Sequence, residues 1–340
     1  MKKFTVKKCA AILISVSLIF VVGMLLLAGT PAEAAQYRIN IATATTGGAY
    51  YPIGNTMAQI YSKIEGIRAS AQSTAGTPQN VELLINDEVQ IAIGQTGICY
   101  YAYTGTGSYE GKAPYTNERG MFTLYPNVMH WVVKKNAGIK SVADLKGKHI
   151  VPGQVASATE INSREMLAAY GLNYLKDKGE VTVTAEYLGY NEAGDQMKNG
   201  LIDATHIAGG VPTAAVMDIL SSEAGELLSM EEEQIKTICE KYPWYYPYTI
   251  AAGTYPKQTA DVHTVALANI LFTDARLPDD LIYTLTKATF ENHEDMVLGH
   301  KATEYTVVEN AVKGMLIPLH PGAIKYLEEK GVAVPDNLKP

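Results

Sequence analysis

An internal echo narrows the fold of this chain more than any single motif in it. Apolar Ile39 to Ile41 lead into the polar loop Thr43 to Tyr51 and then into Pro52 to Lys63, whose apolar residues recur at helical spacing. The same order returns in His149 to Val151, Pro152 to Thr159, and Glu160 to Tyr170. Each unit continues through a second polar loop and a helix that end alike. Leu84-Ile85-Asn86-Asp87-Glu88-Val89-Gln90-Ile91 aligns with Met197-Lys198-Asn199-Gly200-Leu201-Ile202-Asp203-Ala204: a helix end, a turn residue, then a buried strand. Strands that alternate with helices build parallel sheet covered on both faces, and two copies build two such lobes. Ligands of open parallel sheets sit beyond the carboxyl ends of the strands. The expected fold is therefore α/β and two-lobed, with four loops aimed into a ligand cleft between the lobes.

The first of these loops carries Thr45, Thr46, Gly47, Gly48, Ala49 and Tyr50, after the alternating segment Tyr37 to Ala42. Two successive glycines let the backbone turn sharply and approach a ligand, and Pro52 suits a first helical turn, where its missing N–H is no loss. Free amides and the positive end of the helix dipole then converge on one spot, which suits a carboxylate as well as a phosphate. An ordinary tight turn has the same letters, since a Gly-Gly pair alone is a weak signal.

The other loops have similar chemistry. Ser70 to Asn80 offers Ser73, Thr74, Ala75 and Thr77 near a helix start, as caps, as ligand contacts, or as both. Gln95, at the end of the strand Val89 to Gly94, donates and accepts and so suits an orienting contact. In the second lobe, Ser157, Ala158 and Thr159 stand at a helix start. Arg164, about a turn further, either neutralises a ligand carboxylate or faces solvent. Gly209, Gly210 and Val211 precede Pro212 and a further helix. Val128 to Val133 is expected to cross between lobes near Met129, and the stiff aromatic stretch Pro243 to Ile250 to return. The expected division is 1–34 leader, 35–130 first lobe, 131–249 second lobe, and 250–340 return and packing helices, including an amphipathic helix from Leu281 to Met296.

The leader is a secretory signal: lysines before Cys9, an apolar run to Gly29, and small residues around Ala32 and Ala34, with cleavage after Ala34 or Ala35. The run is also long enough for an uncleaved anchor. Thr30 stands where a lipoprotein signal needs cysteine. Loss of residues 1–34 removes four lysines and one glutamate and takes the formal charge from -7 to -10. An acidic extracytoplasmic protein of this kind is not expected to bind nucleic acid, which recruits basic faces. Cys99 and Cys239 remain, either as one disulfide or as two free buried thiols. No nucleophile elbow, Walker loop or H-E-x-x-H spacing is present, and Asn292-His293-Glu294-Asp295 places its ligand-like groups on different helix faces. No enzyme activity, cofactor or metal is therefore expected.

Jointly, T-T-G-G-A-Y-Y-P-I-G at 45–54, A-Q-S-T-A-G-T-P-Q-N at 71–80, S-V-A-D-L-K-G-K at 141–148, A-G-G-V-P-T-A-A at 208–215, A-A-G-T-Y-P at 251–256 and I-P-L-H-P-G-A at 317–323 carry a family resemblance. The chain resembles the TAXI-type solute receptors of tripartite ATP-independent periplasmic (TRAP) transporters over nearly all of Tyr37 to Gly331. The resemblance implies a type II periplasmic-binding-protein fold, a small carboxylate or acidic amino acid such as glutamate as ligand, and membrane permease subunits of a TRAP transporter as partners. A monomer is expected. Related chains often read G-S-G-T-E where this one has Ala156-Ser157-Ala158-Thr159-Glu160, which puts the ligand's identity in question. The receptor of an ABC importer and a secreted α/β hydrolase are the rival readings.

Overall fold

The computed structural model describes residues 36–340, so the expected leader lies outside the described residues. In the first lobe, β1 (Tyr37–Ala42) pairs in parallel with β2 (Ile67–Gln72) on one side and β3 (Ile91–Gln95) on the other. The helices α1 (Tyr50–Tyr61), α2 (Thr77–Ile85) and α3 (Thr96–Thr104) each follow one of these strands. The long strand β4 (Glu118–Lys134) then leaves for the second lobe.

There the echo read from the sequence reappears as topology. Strand β5 (His149–Val151) pairs in parallel with β6 (Thr184–Ala185) and β7 (Ala204–Gly209), as β1 does with β2 and β3. Between and after these strands run α4 (Ala158–Ala168), α5 (Tyr190–Lys198) and α6 (Ala214–Ser221). The chain continues through β8 (Gly225–Leu228), α7 (Glu232–Lys241), β9 (Tyr246–Ile250) and β10 (Val262–Asp274). It ends with α8 (Asp279–Glu291), α9 (His293–Gly299) and α10 (Pro321–Glu329). The order β2-β1-β3-β10-β4-β7-β5-β6, with β8 added on β4 and β9 on β10, has the same three-strand motif at both ends of one ten-stranded sheet.

The two antiparallel strands at its centre join the lobes. The carboxyl half of β10 lies against β3, with Asn269 opposite Gln95, while its amino half pairs with β9. β4 starts against the first-lobe end of β10 and finishes between β7 and β8. The passage is therefore made at Tyr125 to Val128 and Ala266 to Asn269, with a register irregularity at Asn269 and Ile270. This corrects two expectations. The outward crossing begins before Met129, and the return belongs to β10, because the aromatic stretch up to Ile250 is occupied as an edge strand of the second lobe. The helix expected from Leu281 to Met296 is interrupted at Asn292, whose ψ of 38° departs from helical geometry.

One apolar core fills the first lobe around Ile41, Ile53, Ile93 and Phe272. The second lobe has two, one on each face of its sheet: Trp131, Met166 and Ile238 on one, Val132, Ile207 and Val216 on the other. Such double coverage is what near-continuous apolar strands require. Cys99 and Cys239 are both free thiols, the first on the buried side of α3 and the second on α7.

Candidate ligand cleft

Five helices, α1, α2, α3, α4 and α5, begin where the parallel strands end, and the residues at their starts line one cleft between the lobes. It holds about 540 Å³, its open mouth included. The N-cap residues Ala49, Gly76, Gln95 and Gly189 make no side-chain hydrogen bond to their helices. Only Ser157 among the five does, accepting from the Glu160 amide at 3.2 Å. A first helical turn has N–H groups with no intrahelical partner, so four of these starts keep donors for something other than the protein's own side chains.

The floor is the hinge itself. Gln95, Asn269 and Tyr125 stand in one row across β3, β10 and β4, and Asn127 follows two residues along β4. Gln95 Oε1, Asn127 Oδ1 and Tyr125 Oη are buried without any hydrogen-bond partner in the protein. Tyr50 donates to Asn269 Oδ1, which fixes one wall. On the other side Tyr190 Oη donates to the Ala208 carbonyl at 2.8 Å and lies 2.6 Å from Thr159 Oγ1. Burial raises the Tyr50, Tyr125 and Tyr190 hydroxyls above the ordinary phenol range, so all three stay neutral donors. No lysine, arginine, histidine, aspartate or glutamate lines the cleft among the described residues.

The lobes touch across it. A β-carbon on Gly47 would stand 2.5 Å from Asn191 Oδ1, and one on Gly48 would lie 3.6 Å from the Tyr190 ring. Deeper between the lobes, Tyr101 Oη of α3 donates to Glu165 Oε1 of α4 at 3.1 Å. Tyr245 Oη donates to the other carboxylate oxygen at 2.6 Å. The Trp244 ring packs edge-on to Tyr101 with centroids 4.8 Å apart and sits over Gly97, where a β-carbon would come within 2.8 Å of it. The aromatic stretch thus joins the lobes by packing.

The NMT1-like family matches residues 41–331. The chain belongs to the NMT1-like family. Among solved structures it is similar to a periplasmic transporter, with a TM-score of 0.51 at 11% identity, over 86% of this chain and 92% of that one. It is also similar to the alkanesulfonate-binding protein SsuA of Xanthomonas axonopodis pv. citri bound to MOPS, with a TM-score of 0.47 at 14% identity, over 89% and 92% of the two chains. For the aliphatic sulphonate-binding protein SsuA of Escherichia coli the values are 0.47, 16%, 86% and 82%. At 11% identity the likeness to the periplasmic transporter concerns the fold alone, and it agrees with the two-lobed α/β class expected.

In this NMT1-like protein Thr45, Gly48, Ala49, Tyr50, Ala75 and Gln95 of the first lobe, and Ser157, Ala158, Thr159 and Gly209 of the second, line the cleft. Thr46 is exposed, and Gly47 is held at the lobe contact. Ser73 turns away to donate to the Ala44 carbonyl at 2.8 Å. Thr74 ties the loop to Asn80 Oδ1 at 2.7 Å and accepts from the Gly76 amide at 3.0 Å. Neither hydroxyl caps α2, whose N-cap is Gly76 at φ 103°. Gly210 and Val211 fall on the far side of the hinge, beside Tyr125 and in a groove with Pro126. Arg164 does not reach the cleft: it is drawn along α4 to Glu160, its Nε 2.6 Å from Oε1. The fully buried Glu160 also accepts from Tyr174, so the guanidinium neutralises a carboxylate that would otherwise be buried alone.

The sequence reading missed Tyr125, Asn127, Tyr190 and Gln154, which line the cleft as well. Tyr190 had a signal, since it opens the helix that echoes α2. Tyr125 and Asn127 had none, being alternate residues in a mostly buried strand. The one serine hydroxyl bonded to a histidine ring among the described residues, Ser163 to His206 Nδ1 at 2.7 Å, is wholly buried and does not line the cleft.

Proposed function

We propose that this NMT1-like protein is an extracytoplasmic solute receptor that closes its lobes over a small organic anion and hands it to a membrane permease. The observation that carries the reading is that both lobes contribute uncapped helix starts to one cleft that has no charged side chain and meets over its mouth at Gly47 and Asn191. Helix ends contribute about 0.3–1 kcal/mol each to holding negative charge, more where partly buried, so several together hold an anion without an arginine. The TAXI-type motifs favour a TRAP-type permease as partner, with glutamate the first compound to try, and an ABC importer is the alternative. Membership of the NMT1-like family does not separate the two. Reconstitution with a multispan permease, against one with an ATPase, does.

Thermal-shift screening of glutamate, glutamine, 2-oxoglutarate, neutral sugars and polyamines tests the ligand class, because a ligand stabilises the fold it binds by mass action. Stabilisation by acids is expected. Stabilisation by sugars or polyamines alone would sink the anion reading. Small-angle scattering tests the motion: saturating ligand shifts an open ensemble towards the closed form and lowers the radius of gyration.

A further inference from the structure

Resting on the receptor reading above, we propose that the cleft selects a monoanion whose far end carries a neutral hydrogen-bond donor, a hydroxyl or an amide N–H. An ammonium or a second carboxylate weakens binding, so glutamate, glutamine and 2-oxoglutarate in the panel above bind less tightly than an acid of that form.

The charge balance of the cleft argues for a single negative group. Its fixed field comes from helix starts, all of the same positive sign, four of them without a side-chain cap. An ammonium brought into that field meets like charge and no carboxylate to offset it. A second carboxylate meets no side-chain cation, because Arg164 is engaged by Glu160 on the flank of α4. Desolvating an unpaired charge is costly, so both lower affinity.

The unpartnered groups of the floor argue for the donor. Gln95 and Asn127 are each only 2% exposed, and Gln95 Oε1 and Asn127 Oδ1 accept from nothing in the protein. Buried acceptors are nearly always satisfied, so two of them on residues that line one cleft call for a donor from a ligand that settles onto the floor. A hydroxyl or amide N–H supplies it without charge. In the same row Tyr125 Oη, which both donates and accepts, and Asn269 Nδ2, a donor, are also unpartnered and fully buried.

Isothermal titration at pH 7.5 with matched compounds tests this: 4-hydroxybutanoate, 4-aminobutanoate and succinate, and the six-carbon series 6-hydroxyhexanoate, 6-aminohexanoate and adipate. In at least one series the hydroxy acid binds about tenfold or more tighter than the amine and the diacid, a gap of about 1.4 kcal/mol. Equal or tighter binding of an amine or a diacid, or no binding by either hydroxy acid, overturns the proposal. The receptor reading falls separately, and only if no compound in a broad solute panel closes the lobes by scattering. Gln95→Glu gives a second readout. A carboxylate at that floor position moves the preference at least about tenfold towards the amine, a switch that a merely structural glutamine would not produce.

Discussion

Asn191 of α5 stands directly over Gly47, so close that a single added methyl at Gly47 would lie 2.5 Å from its Oδ1. The first-lobe loop and the second-lobe helix meet there, with the exposed amide of Asn191 lying over Gly47. Asn191 can swing aside for a methyl, so Gly47→Ala should be mild, whereas the branched Gly47→Val crowds the contact and keeps the lobes from closing fully. Solute affinity drops by roughly tenfold or more, while the melting temperature of the ligand-free protein stays within about 2 °C, because the strain is relieved by opening rather than by unfolding. Scattering should find a larger radius of gyration with ligand than in the unsubstituted protein. Unchanged affinity would mean that this contact has no part in closure.

Glu165, which Tyr101 and Tyr245 hold between the lobes, has its carboxyl raised by burial from 4.5 to about 7, against the opposing effect of the two hydroxyls. Protonation therefore favours the folded form. The stability that it confers is complete below the ordinary value of 4.5 and is lost as pH rises towards 7. Glu165→Gln should gain on the unsubstituted protein across that window, by roughly 3 kcal/mol in all, and run parallel to it above. Urea unfolding at successive pH values measures the difference. A gap that does not change with pH would refute the assignment.

His206 and His130 work in the opposite direction. Burial pushes His206 down to about 3, with His130 adding to the shift, and pushes His130 down to about 4. Both fold as neutral rings, so their contribution is present above the ordinary value of 6.5 and is lost as pH falls towards the folded values. In His206→Asn the loss of stability on acidification between about pH 6 and 4 should lessen by close to one proton's worth, roughly 1.4 kcal/mol per pH unit. The substitution also lowers stability at neutral pH by removing the contact with Ser163, so the slope is the test.

Ala156 has φ 57°, in the left-handed region, at the exposed turn just before α4. A β-carbon there costs about 1–2 kcal/mol, partly offset by the greater unfolded-state freedom of glycine. Ala156→Gly should raise stability by about 0.5–1 kcal/mol in urea unfolding. Ala158, the other position where related chains carry glycine, is the first residue of α4 and not among the positive-φ residues. Ala158→Gly should give no such gain.

Local pattern by itself determined the two strand–loop–helix units, their equivalence, and the helix-start loops around Gly48, Ala75 and Ala158 that reach the cleft. Those features are encoded between near neighbours: apolar alternation for β1, helical spacing after Pro52, glycine and proline at the turns. Pairing between distant segments decided the rest. Tyr125 and Asn127 reach the floor only because β4 meets β10, which places Tyr125 opposite Asn269 and Asn127 opposite Leu267. Nothing in the residues around Tyr125 specifies that register. Arg164 shows the converse. Its type and position suit a carboxylate ligand, but Glu160, four residues earlier on the same helix and fully buried, needs the same charge. Sequence places a side chain on an element. Only the tertiary structure decides which of several competing partners it meets, because that depends on what burial leaves unsatisfied.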